Sequence, residues 1–356
     1  MMWYNFHGFT KGGIEMKNLE ELEQWYESNV FLFDDLIKKS KLIIEEAIKE
    51  KEITINSITG RVKEKKSFCD KASKDKYTDP INQIKDLAGL RIITYINSDV
   101  EKISKIIEKE FEIDKENSLD KGKLLGTDKV GYKSVHYVVK LKNERIQLTE
   151  YKKFKDLSFE IQIRTLLQHT WSEIEHDRNY KFSGVLPEEI KREFALLAGT
   201  LELIDIHFEN ISNKIDKYSN DVKEYLKKGD LSDIKIDSTS IIEYLKNKFK
   251  LEIEDGRIVP KLTDAIIEEL NLFGVKTIKD LDELMSINMN LKCNDKKYFT
   301  AIIRMYMIKK DYEKYFKYCY PCHSPGISSS SIELYKQNGI DVDKIIKDYK
   351  IEVHYY

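Results

Sequence analysis

Between Ser158 and His176 the chain sets Glu160, Gln162, Arg164, His169, Trp171, Glu173 and His176 close together, side chains that can do chemistry. Glu160, Gln162 and Arg164 alternate with Phe159, Ile161 and Ile163, the period of a strand with one apolar and one hydrophilic face. A carboxylate, an amide and a guanidinium on one face can accept a proton, orient an acceptor and hold its charge. After Thr165 the apolar spacing changes to Leu166, Leu167, Trp171 and Ile174, so the strand feeds a helix. Taken alone, this stretch also fits a solvated sheet face followed by an amphipathic helix, with His169, Trp171 and His176 in structural roles.

Three other stretches add to it. From Arg61 to Lys76 the chain carries Arg61, Lys63, Lys65, Lys66, Lys71, Lys74 and Lys76 against Glu64, Asp70 and Asp75. Arg61 and Lys63 share a face, Ser67 is placed to cap the next helix, and Lys71 follows one turn later, a cradle suited to a polyphosphate. Asp86 opens an apolar run, Leu87 to Ile96, that also holds Arg91. A carboxylate there is costly unless paired or metal-bound, which favours Mg²⁺. Finally, Gly131-Tyr132 leads into the alternation Val135, Tyr137, Val139, Leu141, which puts His136 on the side of Tyr132, whose ring can meet a base.

In this order, Arg61-Val62-Lys63, Asp86 to Arg91, Gly131 to His136 and Ser158 to Thr165 resemble the synthetase domain of the RelA/SpoT family, ATP-dependent GTP pyrophosphokinases that make alarmone nucleotides. The resemblance covers roughly residues 19–218. It implies an α+β fold, a nucleotidyltransferase-like mixed sheet flanked by helices. It also implies transfer of the β,γ-pyrophosphate of ATP to the 3′-hydroxyl of GDP or GTP, giving (p)ppGpp and AMP. By the same resemblance Arg61, Lys63, Ser67 and Lys71 hold the ATP phosphates, and Arg61 and Arg91 sandwich adenine. Asp86 and Glu160 bind Mg²⁺, and Glu160 is the catalytic base, with Gln162 and Arg164 beside it. Tyr132 stacks on guanine, with His136 and Lys129 near the acceptor. The lysine that the family carries four residues before the tyrosine is Asp128 here, with Lys129 one place late. Two other readings stay open: a toxic relative that pyrophosphorylates the tRNA 3′-CCA end, and an inactive nucleotide-sensing interaction protein.

With 356 residues, 41% hydrophobic and 34% charged, the chain reads as globular. No apolar run is long enough to span a membrane, and Met1 to Gly13 lacks a signal pattern, so a cytoplasmic protein is expected. A net charge of −2 gives no broad attraction to nucleic acid. Cys319-Tyr-Pro-Cys322-His323 matches a haem-attachment pattern that requires export. A zinc site at Cys319, Cys322 and His323, completed by Cys293 or His354, lacks the second paired half usual for structural zinc.

Four divisions are expected: an extension, 1–18; the synthetase domain, 19–218; a linker rich in Lys, Asp, Ser and Gly, 219–237; and an all-helical domain, 238–356, of regulatory or interaction role. The apolar spacing predicts a helix from Leu19 to Lys51, and residues 53–60 read as a strand entering a turn at Gly60. Asp99 should cap a helix, 112–129 should be a loop, and Pro187 should begin a long helix. Its apolar stripe, Ile190 to Ile215, can pack within the monomer or build a homo-oligomer. Gly274 should end one C-terminal helix and Thr277 cap the next. No TGS or ACT module and no hydrolase-like His-Asp pair before Arg61 is apparent, so reverse hydrolysis is not expected.

Overall fold

The computed structural model describes residues 19–120, 134–181, 186–232, 234–249, 260–289, 299–320 and 326–354. By contacts the chain divides into two units, Met1–Ser212 and Asn213–Tyr356. Among the described residues no helix is long and apolar enough to cross a membrane.

The first unit opens with α1 (Leu19–Glu50), whose residues Leu22, Tyr26, Phe33, Leu36, Ile37, Ile43, Ile44 and Ile48 fall on one buried stripe. Leu36 and Ile44 are fully buried, each worth about 1.5–3 kcal/mol relative to exposure. The helix ends through Glu52, at φ 53°, where Ile53 N donates to Ile48 O and Glu52 N to Lys49 O. That is the left-handed stop usually given to glycine. The chain then forms β1 (Ile55–Val62), α2 (Lys65–Ala72), the short α3 (Pro80–Gln83), β2 (Ala88–Thr94), α4 (Asn97–Glu110), β3 (Phe111–Asp120), β4 (Val135–Leu141), the short α5 (Asn143–Ile146), β5 (Phe159–Thr165), α6 (Leu166–Lys181) and α7 (Glu188–Lys228).

The sheet order is β1-β2-β5-β4-β3, with β2 and β5 parallel and every other neighbouring pair antiparallel. This mixed sheet with flanking helices is the expected fold class. Leu90, Ile92, Phe159, Ile161, Ile163, Val139, Leu141 and Phe111 form its buried face, in one core with the stripe of α1 and with Ile103 and Ile107 of α4. The alternate residues are left for the other face.

Three local expectations change. Gly60 lies inside β1, not at a turn. A Cβ there would stand 2.3 Å from Ile37 Cγ2 and 3.2 Å from Leu90 Cδ2, so glycine lets α1 lie close on the strand. The segment read as a loop, 112–129, begins as the edge strand β3, which pairs with β4 through a register shift between Asp114 and Leu119. Its polar residues hid it, because an edge strand is held by backbone bonds on one side and has little apolar alternation. Asp99 does not cap α4, which starts at Asn97; Asp99 sits in the first turn, paired with Lys102 at 2.8 Å. The orphan N–H of Ser98 is instead met by Glu209 of α7 at 3.0 Å.

Asp205 of α7 is buried and accepts a 2.7 Å bond from the Thr165 hydroxyl, which ties α7 to the end of β5. Burial pushes the Asp205 carboxyl upward, and the Thr165 bond only partly offsets this. Along the predicted stripe Leu197, Ile204, Phe208, Ile211 and Ile215 are exposed. The stretch read as a linker, 219–237, remains helical to Lys228, and Val222, Leu226, Ile234 and Ile236 join the second core.

That second unit is helical, as expected, with α8 (Ser238–Phe249), α9 (Pro260–Phe273), α10 (Ile278–Leu284), α11 (Phe299–Lys310), α12 (Ser329–Gln337) and α13 (Val342–Tyr349) among its elements. It also holds a two-stranded parallel pair, β6 (Gly326–Ser328) and β7 (Glu352–His354), too short to be read from periodicity. Gly274, at φ 89°, ends α9, and Thr277 begins α10 with a reciprocal capping box. In the core Glu269 is fully buried and accepts three bonds of 2.6–3.0 Å from Arg304 and one of 2.9 Å from Tyr315 Oη. Burial and Glu269 push the Tyr315 phenol strongly upward, so it stays a donor to the carboxylate.

Two substitutions test this packing. Gly60→Ala should gain about 0.5–1 kcal/mol from reduced chain freedom but lose about 1–3 kcal/mol to overpacking against Ile37, so its denaturant midpoint should fall. Arg304→Leu strands the buried Glu269 charge and should cost roughly 3–5 kcal/mol, read as a lower unfolding midpoint.

Candidate active site

Register decides which side chains meet. Arg61 of β1 lies opposite Gly89 of β2, which lies beside Glu160 of β5; Thr59, Arg91, Gln162 and His136 form the adjacent row. A Cβ on Gly89 would stand 3.3 Å from Glu160 O, and without one the floor between Arg61 and Glu160 stays open. The result is a hollow of about 130 Å³ lined by Arg61, Asp86, Gly89, Arg91, Glu160 and Gln162 among others.

Asp86 stands just before β2, on the rim. Its Oδ2 receives Lys63 Nζ at 3.0 Å and Lys71 Nζ at 2.8 Å, while Oδ1 is buried without a hydrogen-bond partner. Burial alone would raise the Asp86 carboxyl, but the bonds from Lys71 and Lys63 outweigh it and hold the group below its ordinary range. Burial likewise works against the charge on Lys71, and Asp86 more than restores it. Ser67 is not a cap. The helix α2 starts at Lys65, with Glu64 at the cap position, and Ser67 is an exposed residue of the first turn. The earlier start places Phe68 against Tyr26 and Trp25 of α1, and Tyr26 Oη donates to Lys63 O at 2.7 Å.

Glu160 is held from two directions. His136 Nδ1 lies 2.7 Å from Oε1, and Gln162 Nε2 donates to Oε2 at 3.0 Å. Arg164, buried, donates in turn from Nη2 to Gln162 Oε1 at 3.3 Å. Burial and the nearby Asp86 push the Glu160 carboxyl up; His136 and Gln162 prevail and leave it below the usual carboxylate range. It is therefore ionised at neutral pH, able to accept a proton or to bind a cation.

Arg91 reaches across to α6, donating from Nη1 to Glu173 Oε1 at 3.0 Å, with His169 Nδ1 3.6 Å from the same oxygen. Burial, with Arg164 and Arg91 near, lowers the His169 imidazole. Two participants had no role assigned from sequence: Glu173, and Ser134, whose hydroxyl lies 2.7 Å from His136 Nε2. The two-residue spacing of Ser134 and His136 was the signal for the second; nothing local marks the first. Tyr132 and Lys129 lie outside the described residues.

Asp86 and Glu160 offer hard oxygen donors in one hollow, and the unpartnered Asp86 Oδ1 is a vacant acceptor, a combination that fits Mg²⁺. Among the described residues no group of three or more His, Cys, Asp or Glu could hold a metal. Cys319 is buried in the second unit with its thiol against Glu269 O at 3.4 Å, while Cys322, His323 and Cys293 lie outside the described residues.

Residues 60–185 match a family described as "Region found in RelA / SpoT proteins". GTP pyrophosphokinase YjbM of Bacillus subtilis (strain 168) is 30% identical over 169 residues, 46% of this chain and 74% of that protein. GTP pyrophosphokinase YwaC of the same organism is 27% identical over 134 residues, 37% of this chain and 60% of that protein. The crystal structure of small alarmone synthetase 1 from Bacillus subtilis aligns at a TM-score of 0.45 and 27% identity, covering 56% of this chain and 99% of that one. With residues of three sequence motifs lining one hollow and a similar pyrophosphokinase matched over most of its length, the chain belongs to the RelA/SpoT family.

Proposed function

We propose that the first unit transfers the β,γ-pyrophosphoryl group of ATP to the 3′-hydroxyl of GDP or GTP. The observation that carries this reading is the convergence of Arg61, Asp86, Arg91, Glu160 and Gln162 on one hollow, in a chain similar to two GTP pyrophosphokinases. In the reaction the acceptor 3′-oxygen attacks the β-phosphorus. The bond from that phosphorus to the oxygen bridging toward the α-phosphorus breaks, and AMP leaves with the electron pair. Glu160, already ionised, takes the hydroxyl proton. Arg61 and Arg91 flank the hollow and hold adenine by stacking; Arg91 must first exchange its bond with Glu173 for the base. Lys63 and Lys71 bind the triphosphate oxygens, and Gln162 and Arg164 keep the Glu160 strand face polar and ordered. Asp86 and Glu160 would hold Mg²⁺, which supplies charge neutralisation for the triphosphate.

The assay is labelled ATP with the full chain, offering GDP, GTP and deacylated tRNA separately. Label on a guanosine nucleotide supports the reading, and label on tRNA alone overturns it in favour of a translation-blocking relative. Within that assay Glu160→Gln should lower turnover about 10²–10⁴-fold while ATP affinity, followed by calorimetry, stays within a few fold. Asp86→Asn should separate the two lysines from their carboxylate. Without Mg²⁺ it should bind ATP on the order of tenfold more tightly than the parent, because Lys63 and Lys71 are no longer engaged. Equal metal-free affinity in parent and variant would show that Asp86 does not restrain the lysines.

A further inference from the structure

We infer that Ser134 and His136 are positioning residues that hold Glu160 in the rotamer from which it meets the acceptor hydroxyl. The inference rests on the transfer reaction proposed above and adds residues to its machinery.

A glutamate on a strand has several rotamers, and a base that wanders among them spends little time in line with its proton. Here the carboxylate is fixed at both oxygens, by Gln162 from its own strand and by His136 from β4. An ionised carboxylate only accepts, so His136 Nδ1 is the donor in that 2.7 Å contact. The ring itself is fixed in turn: Nε2 is 2.7 Å from the Ser134 hydroxyl. Ser134 is 3% exposed, so its hydroxyl has no open path to a bound nucleotide and acts only through what it touches. His136 was expected from the family resemblance beside the acceptor. In this structure both ring nitrogens are engaged inside the protein, Nδ1 on Glu160 and Nε2 on Ser134. The geometry therefore assigns the imidazole to orientation of the carboxylate, with the buried serine as its anchor.

The test compares four single variants of the full chain and one double variant. Asparagine places its amide N–H close to the position of Nδ1, whereas glutamine places it nearer Nε2. His136→Ala should lower kcat on the order of 10²-fold with the acceptor KM within about threefold of the parent. His136→Asn should recover about tenfold of that loss, and His136→Gln should recover little. Ser134→Ala should lower kcat by a few fold, and adding it to His136→Ala should cause no further loss, because both act through one contact. Thermal unfolding midpoints establish that the variants are folded; if His136→Ala is not, the Asn and Gln variants decide. A rise in acceptor KM at unchanged kcat, equal activity of the Asn and Gln variants, or multiplying losses in the double variant would each overturn the positioning role. A parent protein inactive with every acceptor overturns the transfer reading and this inference with it, whereas an active parent with unrescued variants overturns this inference alone.

Discussion

Everything at the candidate site follows from one pairing, the parallel register of β2 and β5. It sets Gly89 beside Glu160 and Arg91 beside Gln162, and the antiparallel β1 then brings Arg61 into the same row. A slip of one residue would turn Glu160, Gln162 and Arg164 into the core and Phe159, Ile161 and Ile163 out of it. The apolar packing of α1 and α4 on one face therefore fixes the polar constellation on the other. Fold energy and site geometry are two faces of the same strands.

The second organising fact is how the two carboxylates are kept charged. Each is partly buried, and desolvation works against ionisation in both. Asp86 is sustained by two ammonium groups and Glu160 by an imidazole and an amide. The difference matters chemically. Full cations neutralise Asp86 until a ligand competes for them, whereas the partners of Glu160 orient a carboxylate that lines the hollow.

Much of this was legible in the sequence because it is periodic. The helical stripe of α1, the alternation of β5 and the stop and start signals at Gly274 and Thr277 each repeat a local rule, and the structure follows them. The meeting of Arg61, Asp86, Arg91 and Glu160 was readable through the family resemblance of ordered motifs, since no single spacing links them. What was not legible depends on tertiary contact. The strand β3 is polar because it lies at an edge, Ser67 and Asp99 are overruled by helices that start earlier, and Gly60 is dictated by Ile37 of a different element. Glu173 finds Arg91 only after β5 has been laid beside β2, and no local pattern in either segment announces it.

The same central pairing has a kinetic consequence. Residues 88–94 and 159–165 are neighbours in space, yet α4, β3 and β4 intervene in the chain, so closing them demands a large entropic loop that local hairpins do not. The β1–β2 and β3–β4 pairs join strands closer in the chain, but neither contains both Asp86 and Glu160. Joining the Asp86 side of the site to Glu160 therefore waits on this long-range pairing, whereas Lys63, Lys71 and Asp86 lie within the β1–β2 segment alone.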